Sequence, residues 1–253
     1  MEIPLFDSRN VPEKLSELGN AGLWWEKFFH FYEYNFTEIT PADARNKIPD
    51  GKVRWIGTVE GQRGQKQMIE RFARRQYDLG AAQNAQQNFF RTNWHFATGL
   101  GYSHPVENGF CWHHTLGVPY LPASSIKGML RAWIEQWEEF ADEESREKVL
   151  LSWFGNEPNE TDHEKHQAGS LIFFDAIPVE PMELSADVMT PHMGKWYAEG
   201  DKIRNTDGSG GDASRIPGDW HSPVPVPFLV VKEASFLFQI AVRPKSTLRM
   251  VMI

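Results

Sequence analysis

Two adjacent serines and a lysine, Ser124-Ser125-Ile126-Lys127, with Arg131 one turn later, bring hydroxyl groups, an amine and a guanidinium to the point where an extended segment turns into a helix. Pro119 and Pro122 hold the approach extended, and either serine fits an N-cap. Apolar residues then recur at Ile126, Met129, Leu130, Trp133, Ile134, Trp137 and Phe140. With Ser124 as the cap, Lys127 takes the third helical position, where the macrodipole penalises a cation by roughly 0.3–1 kcal/mol. An external anion removes that penalty, so Lys127, Arg131 and the free N–H groups of the first turn form a candidate phosphate site. A solvated basic pair on a packing helix accounts for the same residues equally well.

Rival chemistries use overlapping residues. Ser124 and Lys127 match Ser-x-x-Lys, the nucleophile motif of serine β-lactamases and penicillin-binding proteins. No Lys-Thr-Gly element and no apolar leader in Met1–Arg9 accompany it, so acyl transfer is a minority reading. His163-Glu164-Lys165-His166 places two imidazoles three residues apart but lacks the His-Glu-x-x-His form of a catalytic zinc site. No metal or cofactor is expected. His113 and His114 are adjacent, so on a strand they face opposite sides: one suits a core or turn position and the other a ligand. A basic cluster, Arg63, Lys66, Arg71, Arg74 and Arg75, lies on a stretch whose apolar side carries Met68 and Phe72. At least half of these cations read as a solvated helix face, and the rest can meet a phosphate backbone or an acidic neighbour.

These residues sit in a chain of 253 residues, 41% hydrophobic and 24% charged, enough for one large domain with a real core. The net charge of −8 excludes a protein coated in cations for non-specific nucleic-acid binding, so any such contact must be local. Acidic blocks at 138–147 and 157–164 supply much of the excess. One cysteine, Cys111, allows no internal disulfide. No apolar run approaches the roughly 20 residues of a membrane span. A cytoplasmic location without membrane contact is expected.

The elements that must position the site are readable in outline. Leu23–Tyr32 reads as a buried aromatic helix, Val53–Val59 as a short strand, and 65–87 as helix interrupted at Gly80. Asn93–Gly101 alternates like a strand, the serine-led helix follows, and Glu144–Phe154 forms another helix. Leu171–Phe174 has the length of a buried strand. Residues 203–219, with Asp207-Gly208-Ser209-Gly210-Gly211-Asp212, are too polar to pack and read as a flexible insertion. Val224–Val231 and Ala234–Val242 read as strands joined by a turn at Lys232-Glu233. The sum is an α+β chain with an antiparallel-rich sheet and helices on one face.

The stretch Gly117-Val118-Pro119-Tyr120-Leu121-Pro122-Ala123-Ser124-Ser125-Ile126-Lys127-Gly128-Met129-Leu130-Arg131, preceded by Gly101–Gly109 and His113-His114-Thr115-Leu116, resembles the signature Gly-x-Pro-Tyr-Ile-Pro-Gly-Ser-Ser-Leu-Lys-Gly-x-Leu-Arg of the RAMP proteins of CRISPR effectors. Met189-Thr190-Pro191-His192, Trp196-Tyr197 and Asp219–Leu229 add a second match, which is similar to the sixth RAMP subunit of type III-B, or Cmr, effectors. The resemblance implies a ferredoxin-like, RRM-related core. Here that is one RAMP domain over 1–253 with a helical N-terminal region to about residue 92. It implies a non-catalytic RNA-binding subunit at the head end of the complex, near the 3′ part of the guide RNA. Guide and target RNA, the other RAMP subunits and the small helical subunit are the implied partners. The alternative is a metal-independent endoribonuclease with a histidine general base. Phosphate contact is expected from Ser124, Ser125, Lys127, Arg131, Arg71, Arg74 and Arg75. His113, His114, His192, Trp220 and His221 are further RNA-contact candidates. Two departures from the family pattern stand out. Ala123 replaces a usual glycine, which adds strain if the position needs positive φ. The last βα elements are also expected to be missing, so that a second polypeptide or a neighbouring subunit completes the sheet.

Overall fold

The computed structural model describes residues 12–33, 36–156, 167–204, 214–218 and 221–244. Its helices are α1 (Ala21–Lys27), α2 (Gly51–Gly57), α3 (Lys66–Ala82), α4 (Ala123–Trp137), α5 (Glu143–Phe154) and α6 (Gly194–Glu199). The strands are β1 (Gly61–Arg63), β2 (Gln86–Arg91), β3 (Trp112–His113), β4 (Val118–Pro119), β5 (Leu171–Phe173), β6 (Ile177–Pro178), β7 (Met182–Met189), β8 (Val226–Glu233) and β9 (Ser235–Val242). One sheet runs β1-β7-β8, a second runs β2-β9-β5 with β6 also on β9, and β3-β4 form a two-stranded ribbon. The ladders within them are antiparallel. Helix α2 packs on β7 and β8, α3 on β9, β2 and β6, and α4 on β5 and α5. This is the mixed α+β arrangement expected.

Several local readings change. Val53–Val59 is not a strand but mostly α2. Asp50 accepts the Val53 N–H at 2.9 Å as an N-cap, and Trp55, Ile56 and Val59 are fully buried at a spacing that suits a helical turn. The aromatic helix is shorter than expected and stops at Lys27. Rings from the helix and from the segment after it gather around Trp55, with Trp24 of α1 at 5.3 Å and Phe29 at 5.4 Å between centroids. Gly80 does not interrupt α3. A Cβ there would lie 1.9 Å from Gln239 Nε2, so glycine admits the close approach of α3 to β9. Asn93–Gly101 is not a continuous strand; it contributes a bridge from Phe96 to Val231.

The expected Lys232-Glu233 hairpin is absent, because β8 and β9 pair with β7 and β2 and not with each other. Ala234, 2% exposed, carries the chain from one sheet into the other. It is held there by Thr92, whose N–H donates to the Ala234 carbonyl at 2.9 Å and whose Oγ1 accepts the Ala234 N–H at 3.1 Å. Strand β7 has no counterpart in the sequence reading, although Met182 and Leu184, both 1% exposed, alternate with Glu183 and Ser185. The pair His163/His166, residues 205–213 and 219 of the expected insertion, and residues 245–253 lie outside the described residues.

Candidate nucleic-acid interface

Helix α4 starts earlier than its serines predict. Pro122 is the N-cap and no side chain of the helix itself caps it. The Pro122 carbonyl accepts the N–H groups of Ser125 at 2.9 Å and Ile126 at 3.1 Å, and the Ala123 N–H donates to Asp175 Oδ1 at 2.7 Å. Ser124 and Ser125 are therefore the second and third helical residues, both exposed, and neither is the cap. The place expected for a phosphate at the tip holds the Asp175 carboxylate, which already satisfies the dipole. Ala123 has no positive φ, so its replacement of the family glycine adds no strain.

Lys127 moves with this register to the fifth helical position, beyond the turn where the dipole penalises a cation. It is exposed and makes no ion pair or hydrogen bond among the described residues. Arg131 is half-buried and donates to Glu135 Oε1 at 2.8 Å, so most of its charge is answered within the helix. Lys127 and Arg131 share a helix face but do not converge on the helix tip.

The α3 arginines form a more open cationic surface. Arg71, Arg74 and Arg75 are exposed and line a groove of about 610 Å³ with Met68, Glu70, Phe72, Thr115 and Leu116. Arg74 pairs with Asp78 at 3.1 Å, and the Arg75 guanidinium lies 5.3 Å from the Phe72 ring centre. Arg71 has no such partner among the described residues. The other two cations of the cluster do structural work. Arg63 donates to the carbonyls of Val59 at 3.0 Å and Glu60 at 2.7 Å, and Lys66 faces Glu70 at 3.8 Å.

His113 joins this groove to the base of α4. Its ring meets Phe72 at 4.7 Å and Tyr120 at 5.5 Å, both edge to face, and its Nδ1 accepts the Leu116 N–H at 3.2 Å. Burial pushes its pKa below the ordinary value while Asp175 pulls it up. Tyr120 is pushed up to about 12 by burial and by the neighbouring Cys111 and Asp175, so it stays a neutral hydroxyl. His114 is exposed, as expected of the neighbour on the opposite side. Its carbonyl accepts Asn20 Nδ2 at 2.6 Å, and Asn20 Oδ1 also caps α1 through the Leu23 N–H at 2.8 Å. Gly117 closes the turn at φ 63°, where a Cβ would stand 2.6 Å from Asn20 Oδ1.

The second motif is built by a different set of contacts. His192 Nδ1 lies 2.9 Å from the His221 carbonyl, and His221 Nε2 lies 3.0 Å from the Ile216 carbonyl. Both imidazoles tie loops together. Trp196 and Tyr197 on α6 are 40% and 76% exposed. Trp220 lies outside the described residues. Among the described residues no cluster of His, Cys, Asp and Glu is arranged to hold a metal, and no helix is long and apolar enough to cross a membrane. The sequence reading missed Asp175, and it named Thr115 and Leu116 only as part of the motif, with no role in a site. Asp175 ends an apolar strand with no local sign that it will cap a helix more than fifty positions before it.

The RAMP superfamily model matches residues 90–238, more than half of the chain and the region holding β3 through β8, α4, α5 and both motifs; the chain belongs to the RAMP superfamily. Within that class it is similar to the CRISPR system Cmr subunit Cmr6 of Pyrococcus furiosus, 27% identical over 205 residues, which cover 62% of this chain and 57% of the relative. The Cmr6 subunit of Saccharolobus solfataricus is 34% identical over 97 residues, 38% of this chain and 29% of that protein. The chain thus aligns with little more than half the length of one curated relative and under a third of the other. A chain in the cryo-EM structure of the type III-B Cmr-beta complex bound to cognate target RNA superposes with a TM-score of 0.48 and 21% identity, over 77% of this chain and 60% of that one.

Proposed function

We propose that the protein is a non-catalytic RNA-contacting subunit of a type III-B CRISPR ribonucleoprotein, seated at the head end of the complex near the 3′ part of the guide RNA. Membership of the RAMP superfamily and similarity to two Cmr6 subunits support the assembly. The observation that carries the RNA contact is the groove between α3 and the Thr115-Leu116 turn, where Arg71, Arg74 and Arg75 gather on a protein that is otherwise acidic. Exposed guanidiniums without base-reading partners suit a sugar-phosphate chain. Lys127 adds a further free cation on α4, and His114 an exposed imidazole beside the groove. The engagement of His113, His192 and His221 in loop and turn hydrogen bonds supports a structural role over that of a general base. The outer edge of β2, unpaired among the described residues, supports a neighbouring chain that extends the second sheet.

The test is RNA affinity as a function of salt. Replacing Arg71 and Arg75 with alanine is expected to weaken guide-RNA binding about tenfold near 0.1 M salt and to lower the log–log salt slope by about 1–2. Lys127→Ala should have a smaller effect in the same direction. Unchanged affinity and slope in the double variant would refute the groove as the RNA contact.

A further inference from the structure

Helix α4 has a second exposed flank. Met129, Trp133 and Trp137 follow one another at four-residue spacing and are 55%, 55% and 68% exposed, whereas Ile126 and Ile134 on the packed stripe are 2% and 6% exposed. At about 100° per residue, Met129 and Trp133 fall on the opposite side of that stripe from Lys127 and Arg131. The two indoles stack, with centroids 5.9 Å apart and 26° between planes. Trp133 Nε1 donates to Glu138 Oε1 at 3.3 Å, which fixes its orientation. The surface is therefore a formed apolar platform and not a pair of isolated exposed side chains.

Acidic residues follow directly on this platform. Glu138, which accepts the Trp133 Nε1–H, and Glu139 come immediately after α4, while Arg146, which donates to the Glu135 carbonyl at 3.1 Å, is answered by Glu143, and Lys148 by Glu144. Carboxylates beside stacked indoles repel phosphate and attract ammonium and guanidinium groups, which the indole faces also favour. We propose that this flank of α4 is a docking surface for another protein chain, and that it takes an amphipathic helix whose apolar residues, spaced by three and four, are flanked by Lys or Arg. The surface shares no side chain with the proposed RNA groove, so the two stand or fall separately.

The test uses the full chain and two labelled helical peptides with the same apolar face, one built from Leu and Lys and the other from Leu and Glu, read by fluorescence anisotropy. The Leu/Lys peptide should bind at least about tenfold more tightly than the Leu/Glu peptide. W133A/W137A should lose at least about tenfold with an unchanged circular dichroism spectrum. E138K/E139K, which leaves the apolar packing intact, should shift the preference toward the Leu/Glu peptide, and K127A should bind like the parent. Equal binding of the two peptides, or indifference to both double variants, would overturn the proposal. So would a loss of oligouridine RNA affinity in W133A/W137A, which marks a base-stacking surface. A dimer in sedimentation experiments that W133A abolishes would likewise replace it with a self-interface.

Discussion

Asp175 decides what the tip of α4 can bind. Its carboxylate accepts the Ala123 N–H at 2.7 Å, supplying from another segment the negative charge that the helix dipole favours. Asp175→Asn keeps an acceptor but removes the charge. It is expected to lower stability by about 0.5–1 kcal/mol and to raise RNA affinity about two- to threefold, because one repelling anion leaves the side of His113, whose ring meets Phe72 of the groove. Chemical denaturation and RNA titration of the same variant check both signs. The buried imidazoles make a separate claim. Burial pushes His30, His104 and His113 below the ordinary value. His104 Nε2 lies 3.0 Å from the Trp25 carbonyl and its Nδ1 accepts the Val106 N–H at 3.2 Å, an arrangement only the neutral ring satisfies. Below about pH 6.5 the unfolded chain takes up protons that the folded chain does not, so stability falls on acidification and is level above that value. The urea midpoint should be lower at about pH 5.5 than at about pH 7.5, and His104→Gln should narrow the gap. Identical midpoints in the parent chain would contradict the neutral assignment.

Helix α4 was legible because its apolar residues keep one period over four turns, and its two isoleucines fill the packed stripe. Ile126→Ala is expected to cost about 2–4 kcal/mol, measured by denaturant unfolding, since the residue is 2% exposed in the main core. The start of the helix was less legible. Two serines in sequence look like a cap, but the capping group came from across the fold. Strand β2 escaped notice because Gln86-Gln87-Asn88 is polar and the strand is an exposed edge, with no alternation for burial to impose. The seven residues of α2 failed for the opposite reason. A short run containing Val53, Trp55, Ile56 and Val59 fits either period, and Asp50 together with the tertiary packing against β7 and β8 chose the helix. The site divided along similar lines: the cations were visible as residue types, whereas the groove depends on the 113–117 turn meeting α3, a contact no local pattern announces.

Across the molecule, an overall charge of −8 leaves the proposed RNA contact to local clusters of cations, such as the arginines of α3 and Lys127 on α4. The second sheet ends at β2, where Phe89 and Phe90 are 59% and 57% exposed beside backbone groups unpaired among the described residues. Such an edge recruits other chains. The isolated protein is expected to self-associate with rising concentration in sedimentation velocity, and Phe89→Lys should suppress this while leaving the fold intact. A monodisperse parent protein at all concentrations would remove the ground for an extending partner.

The single alanine between β8 and β9 leaves no slack with which either sheet can adjust alone. Sliding β9 by one position would turn Phe236 and Leu237 inside out and drag Val230 and Val231 with them. The two sheets therefore lock each other's alignment like adjacent teeth of one zipper. Amide exchange in β7 and β2, which belong to different sheets, should consequently slow and quicken together.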